Sequence, residues 1–432
     1  MAKSGGWSRR AGLVFGLALG AAAAGDASAQ EYVQDLLSRD AGREYGRVVD
    51  VVRRFERADR NEGAAVGAFR VQPTLSAGMA FDDNIFVSSS GRRSDGIGIG
   101  KAGLTANSQF SRHSLELFSN LEGGAYVRHS DQNYWLARSG ANGRLDLTSD
   151  LTADAQVYYG RLIEPRDSPD GVGGLKPTVF HIYLASGGLN YVMGRFRYSA
   201  RGGFLRLRYE DVQGLTGLID TADREFDEVS GEGQISYNYL AAEQIYVRVR
   251  VGDRNYRLPV SFDGFERSSR STLALGGATF DLGGLIAGEV RGGFQSWRFD
   301  DARLGTVDSA VADLTLSWNP TRDTTVTGFA GYDFVPSFAD VSPGFRRIRS
   351  SLRVAHDFSA SVLALGRFIY EDRDYDRSTR REHLFGVDLG VIYRVDRGLF
   401  LEGQYLFRYQ EGDGGSSGYR RNIVLVQARR VF

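Results

Sequence analysis

From Phe69 onward apolar and polar positions alternate with a period of two, and the alternation persists to Phe432. That period sends successive side chains to opposite faces of a strand. Clusters of Gly, Asp, Asn, Ser and Pro separate the runs and mark turns. Roughly eighteen runs fit the remaining length, with sixteen the next even count, at about 9–11 spanning residues plus a connection each. They begin with 69–82, 97–109, 114–129, 134–147 and 151–164, and continue through 177–191, 195–211, 226–240, 243–256 and 267–281. The series closes with 285–299, 306–319, 324–335, 345–358, 361–374, 380–394, 398–410 and 419–432.

Each run has a charged face and an apolar face. In 243–256, Tyr246, Arg248, Arg250 and Arg254 oppose Val247, Val249 and Val251. In 345–358, Arg347, Arg349 and Arg353 oppose Ile348, Leu352 and Val354. In 114–129, Glu116, Asn120 and Glu122 oppose Leu115, Leu117 and Leu121. In 195–211 the alternation slips at Gly202-Gly203, which predicts a β-bulge there.

The connections alternate short and long. Thr148-Ser149-Asp150, Met193-Gly194 and Asn319 to Asp323 are short; 83–96, 165–176, 212–225, 257–266, 336–344 and 411–418 are long. An up-and-down barrel with tight turns at one rim and loops at the other has this alternation, and an even strand count returns both ends to the turn rim. The predicted fold is therefore all-β, a transmembrane antiparallel up-and-down barrel over 67–432. The last strand ends on an aromatic residue, Phe432, and so resembles the closing strand of an outer-membrane β-barrel, which implies that Phe432 is the recognition mark for the barrel-assembly machinery. Arg430 stands where that signal usually has an aromatic or apolar residue.

A charge facing lipid at the bilayer midplane costs about 2–4 kcal/mol, so the charged rows must face the lumen. The lumen candidates are Arg206, Arg208, Arg248, Arg250, Arg291, Arg349, Arg353 and Arg408, with Glu116, Glu122, Glu232 and Glu402; Arg138 and Arg144 share the wall. Mixed charge of this kind makes either a cross-bridged wall or a tuned selectivity surface. Arg248 and Arg250, near Arg206 and Arg208, are the strongest candidates for an anion or acidic-sugar contact. Inward Tyr126, Tyr158 and Phe400 would offer sliding surfaces to a sugar chain. The loops 83–96 and 212–225 are the candidates for folding into the pore.

The chain before the barrel differs. Arg9-Arg10, an apolar run from Ala11 to Ala24, and Ala27-Ser28-Ala29 predict a secretory signal peptide cleaved after Ala29. Residues 31–60 space Val33, Leu36, Leu37, Val48, Val49, Val51, Val52 and Phe55 among charges, as short amphipathic helices do. The segment 30–66 is either a periplasmic helical extension or a plug.

Composition narrows the chemistry. Mean hydropathy is −0.29, too low for a helical membrane protein. Fifty-three basic residues balance 53 acidic ones, which gives no footprint for nucleic acid. Five histidines accompany no Ser or carboxylate motif, and no metal motif is present, so neither an enzyme nor a cofactor is expected. The acidic runs Asp82-Asp83-Asn84, Asp300-Asp301 and Glu371-Asp372 are either candidates for calcium or for cations bound to lipopolysaccharide, or simply solvated loops.

Pro73-Thr74-Leu75, Gly78 and then Phe81-Asp82-Asp83-Asn84-Ile85-Phe86 resemble the opening strand and loop of the second outer-membrane β-barrel porin family. The resemblance implies a Gram-negative outer membrane. It implies either an exopolysaccharide export channel, working with periplasmic export proteins, or a diffusion porin. A structural or adhesion barrel without an open pore is the third reading. Outer-membrane lipids and lipopolysaccharide are the expected surroundings.

Overall fold

A computed structural model describes residues 50–57, 63–240, 243–338, 341–414 and 418–432. The proposed signal peptide and most of the 30–66 segment lie outside them. Eighteen long strands follow in chain order. They are β1 (Phe69–Asp82), β2 (Asp95–Ser108), β3 (Ser114–Tyr126), β4 (Tyr134–Asp146), β5 (Leu151–Ile163) and β6 (Val179–Met193). Next come β7 (Phe196–Tyr209), β8 (Phe226–Asn238), β9 (Gln244–Tyr256), β10 (Ser269–Leu282), β11 (Ile286–Phe299) and β12 (Thr306–Thr321). The last are β13 (Thr324–Pro336), β14 (Gly344–Ser359), β15 (Val362–Tyr375), β16 (Arg381–Asp396), β17 (Leu399–Asp413) and β18 (Tyr419–Val431).

Each strand pairs antiparallel with its neighbour, and β18 pairs back onto β1 from Thr74↔Val431 to Asp82↔Ile423. The sheet is therefore closed, and neither of its first and last strands is left as an edge open to another chain. The Phe432 amide donates to the Pro73 carbonyl at 3.0 Å, which extends the seam to the last residue. A short strand, Ala64–Val66, folds back on the start of β1.

Short turns gather at one rim and long connections at the other. The Met193–Phe196 hairpin needs a left-handed residue, and Gly194 supplies it at φ 60°. Register breaks occur at Trp318/Thr321, Asp357/Ser359 and Arg394/Asp396, all beside turns on the short-turn rim. None occurs at Gly202-Gly203, where pairing with both neighbours is continuous. The bulge expected there is absent. The face of β7 changes chemistry instead of phase: Leu205, Leu207 and Tyr209 turn inward and are buried against Phe118, Tyr158, Phe180 and Phe226. An apolar inner face imitates a slipped outer one.

One α-helix is present among the described residues, α1 (Val51–Arg57). Val51, Val52 and Phe55 follow the i, i+1, i+4 spacing of one helical face. They are buried inside the short-turn end of the barrel, against Ala355, Leu363, Leu365, Ile392 and Phe400. The Val51 amide donates to the Thr325 hydroxyl at 3.0 Å. Arg353 pairs with Asp50, and Arg394 donates to the Phe55 carbonyl with its guanidinium 4.2 Å from the Phe55 ring centre. Burial of each apolar side chain contributes about 1.5–3 kcal/mol.

Candidate functional site in the barrel lumen

Alternation decides which side chains see lipid. Val247, Val249 and Val251 of β9 are exposed on the outer surface, while Tyr246, Arg248 and Arg254 of the opposite face are buried within. Arg291, Arg349, Arg353 and Arg408, and Glu116, Glu122, Glu232 and Glu402, lie on the inner face of their strands. Arg206 and Arg208 do not. They share the outer face of β7 with exposed Phe204, beside outward Tyr183 and Val229, near the loop rim. There they pair with Asp227 at 2.6 and 2.7 Å. The lumen placement expected for these two is corrected by the unbroken register of β7, and they cannot join Arg248 and Arg250 in one anion site.

The inner wall is cross-linked by charge. Glu228 holds Arg250 and Arg254 at 3.1 and 2.8 Å. Asp333 holds Arg347 and Arg349 at 2.8 and 4.0 Å, and Asp388 holds Arg367 and Arg408 at 2.5 and 2.6 Å. Arg291 meets Asp313 at 3.0 Å, Arg429 meets Glu402 at 2.6 Å, and Arg421 meets Asp82 at 2.6 Å. Lys101 and Arg248 reach Glu122 and Glu232, each at 3.8 Å, and Arg201 reaches Asp154 at 2.9 Å. Arg373 contacts Glu371 at 2.6 Å. Buried pairs like these add little net stability, because desolvation offsets attraction, but losing one partner strands the other charge. They fix side chains in place and neutralise the wall locally.

Tyr158 and Phe400 are buried in the inner apolar clusters, Phe400 directly beneath α1. Tyr126 packs on the Ile97, Ile99 and Ile423 cluster. None of the three forms a free sugar-stacking surface. The acidic runs are occupied as well: Asp82 by Arg421, Asp83 by Asn422, and Asp301 by Arg303.

At the loop rim the connection 164–178 reaches across the mouth. Asp170 accepts from the Ser337 hydroxyl at 2.5 Å and from the Phe338 amide at 2.8 Å, on the β13–β14 connection at the far wall. Asp167 accepts from the Tyr419 hydroxyl of β18 at 2.5 Å. Arg166 donates to Gln132, and the Leu175 amide to the Gln213 carbonyl at 2.8 Å. Glu164 takes a bidentate pair from Arg224 at 2.5 and 2.9 Å, and Arg224 also donates to the Tyr209 hydroxyl. Burial, the largest influence on Arg224, opposes its charge, but Glu164 and Tyr209 outweigh it and hold the guanidinium protonated. Burial raises the Asp170 carboxyl above its usual range, against the pull of Arg224 and the Ser337 hydrogen bond.

This crossing was not expected at 164–178. The loop 83–96 instead stays over its own side, where Asn84 bonds Ser88 and Arg420. The overlooked signal is Glu164-Pro165-Arg166-Asp167-Ser168-Pro169-Asp170. With Pro177, this connection carries three of the chain's 8 prolines, a concentration that stiffens a loop.

The model of the family described as "Putative beta-barrel porin 2" matches residues 60–432, the whole barrel. The chain belongs to this family. It is an outer-membrane porin of a Gram-negative bacterium. Porins of this kind are channels rather than enzymes. Among curated proteins none matches this porin. Among solved structures it is similar to OccK9 (OpdG) of Pseudomonas aeruginosa, with 15% identity, a TM-score of 0.47, and 84% and 98% of the two chains covered. It is similar also to OccAB3 of Acinetobacter baumannii, with 10% identity, a TM-score of 0.47, and 85% and 100% covered. P. aeruginosa OpdK, solved with vanillate, has 12% identity, a TM-score of 0.47, and 84% and 99% covered.

Proposed function

We propose that this porin is a solute-selective diffusion channel for small polar solutes. The observation that carries the reading is the 164–178 connection, fastened to the far wall through Asp170 and to β18 through Asp167. A segment spanning the mouth narrows the path to small molecules and leaves the charged wall to choose among them. A polymer exporter needs a continuous route with weak repeated contacts, and the inward aromatics that would serve it are spent on packing. No observation favours polymer export or a purely structural barrel over the solute channel.

Osmotic swelling of proteoliposomes tests the reading. Small polar solutes are expected to enter faster than into protein-free liposomes, with rates falling steeply with solute size. Deleting 167–175 is expected to raise the rate and flatten the size dependence. A barrel that swells no faster than the lipid control, in cells whose knockout loses surface polysaccharide, would return polymer export to first place.

A further inference from the structure

The cations on the middle and outer lumen wall are matched with carboxylates within 4.0 Å, as described above. Arg138 is the exception among the described residues of that wall. It stands on the inner face of β4, half-buried, directly opposite Asn120 of β3 and Gly160 of β5. Neither can neutralise it. The inward acids of β3 and β5 are already engaged. Glu122 takes Lys101 at 3.8 Å and the Tyr134 hydroxyl at 3.2 Å. Glu116 takes the Asn142 amide at 3.0 Å, and Asp154 takes Asn190 at 2.8 Å and Arg201 at 2.9 Å. Arg138 is close enough for its charge to bear on the Lys101 ammonium, which also feels Arg429 and the carboxylates of Glu122 and Glu402; of these, Glu122 is held by Lys101 and Glu402 by Arg429.

A half-buried guanidinium without a counterion keeps part of its desolvation penalty unrecovered. Its planar fork matches a carboxylate through two parallel N–H donations. Everywhere else on the described wall of the middle and outer lumen, a passing anion would have to displace a fixed protein carboxylate. We propose, building on the solute-channel reading, that Arg138 is the lumen's binding point for the carboxylate of a small organic acid, with Lys101 as the second cation beside it.

Titration calorimetry of the purified barrel in micelles tests this, with benzoate as probe and benzamide as its uncharged counterpart. Arg138→Gln is expected to weaken benzoate binding by at least about tenfold, the scale of one lost charge-assisted contact. Arg138→Lys is expected to retain part of it, and benzamide to bind neither protein. Heat-modifiable mobility on gels shows that each variant is folded. Equal benzoate affinity in wild type and Arg138→Gln would overturn the site, as would benzamide binding as tightly as benzoate. An oligouronate that outcompetes benzoate tenfold would overturn the small-acid assignment. Binding in micelles does not depend on conduction. Arg138-dependent binding without liposome swelling would sink the channel reading alone, and swelling without such binding would sink this site alone.

Discussion

Asp170 places a carboxyl where burial makes charge expensive, and its Oδ2 has no hydrogen-bond partner. The groups around it are Arg224, Glu164, Tyr209 and Tyr375, with donors from Ser337 and Phe338. A carboxyl whose value is raised in the closed state favours that state while protonated. That contribution is complete below the ordinary carboxylate range and is lost as pH rises through the raised value. The closed mouth is therefore expected to loosen as pH rises. Single-channel recording should show conductance or open time growing with pH in wild type, and a flatter profile in Asp170→Asn. The facing rule gives a second test at this scale. Val249→Arg should destabilise the barrel by about 2–4 kcal/mol in bilayer refolding titrations, because it puts charge into lipid. Most facings were legible because charged and apolar rows alternate strictly, as in β9 and β14. Arg206 and Arg208 were misplaced because alternation reports a difference between faces and not which face is inside. Where the lumen itself turns apolar, around Leu205 and Leu207, the rule inverts.

Strand boundaries were legible to within a few residues, since each is framed by turn chemistry. The role of the 164–178 connection was not. Its partners lie 167 and 252 residues away in sequence, at Ser337 and Tyr419, and no local period encodes a contact at that range. The helix α1 was foreshadowed by its apolar spacing, but its docking surface on β14 to β17 was not. Phe55 is the anchor, 3% exposed and capped by Arg394. Phe55→Ala is expected to remove about 3–5 kcal/mol of docking stability, the usual loss for a buried Phe. Cysteine at Val52 would report it, because its labelling by a maleimide should accelerate in the Phe55→Ala background while heat-modifiable mobility is unchanged.

Closure between β1 and β18 makes the last strand indispensable to the whole. Without 419–432 both β1 and β17 become open edges, so the truncated chain should yield no heat-modifiable species in outer-membrane fractions. The position of α1 also imposes an order of events. Its contacts join the beginning of the chain to its far end: Val51 to Thr325 over 274 residues, Asp50 to Arg353 over 303, and Phe55 to Arg394 over 339. Such contacts have high contact order, and the loop entropy they close is recovered only once β13 to β16 stand beside one another. The helix made first during synthesis must wait for strands made near the end. In a refolding time course, protection of a cysteine at position 52 should trail the appearance of the closed barrel, which makes α1 a late folding marker carried at the early end of the chain.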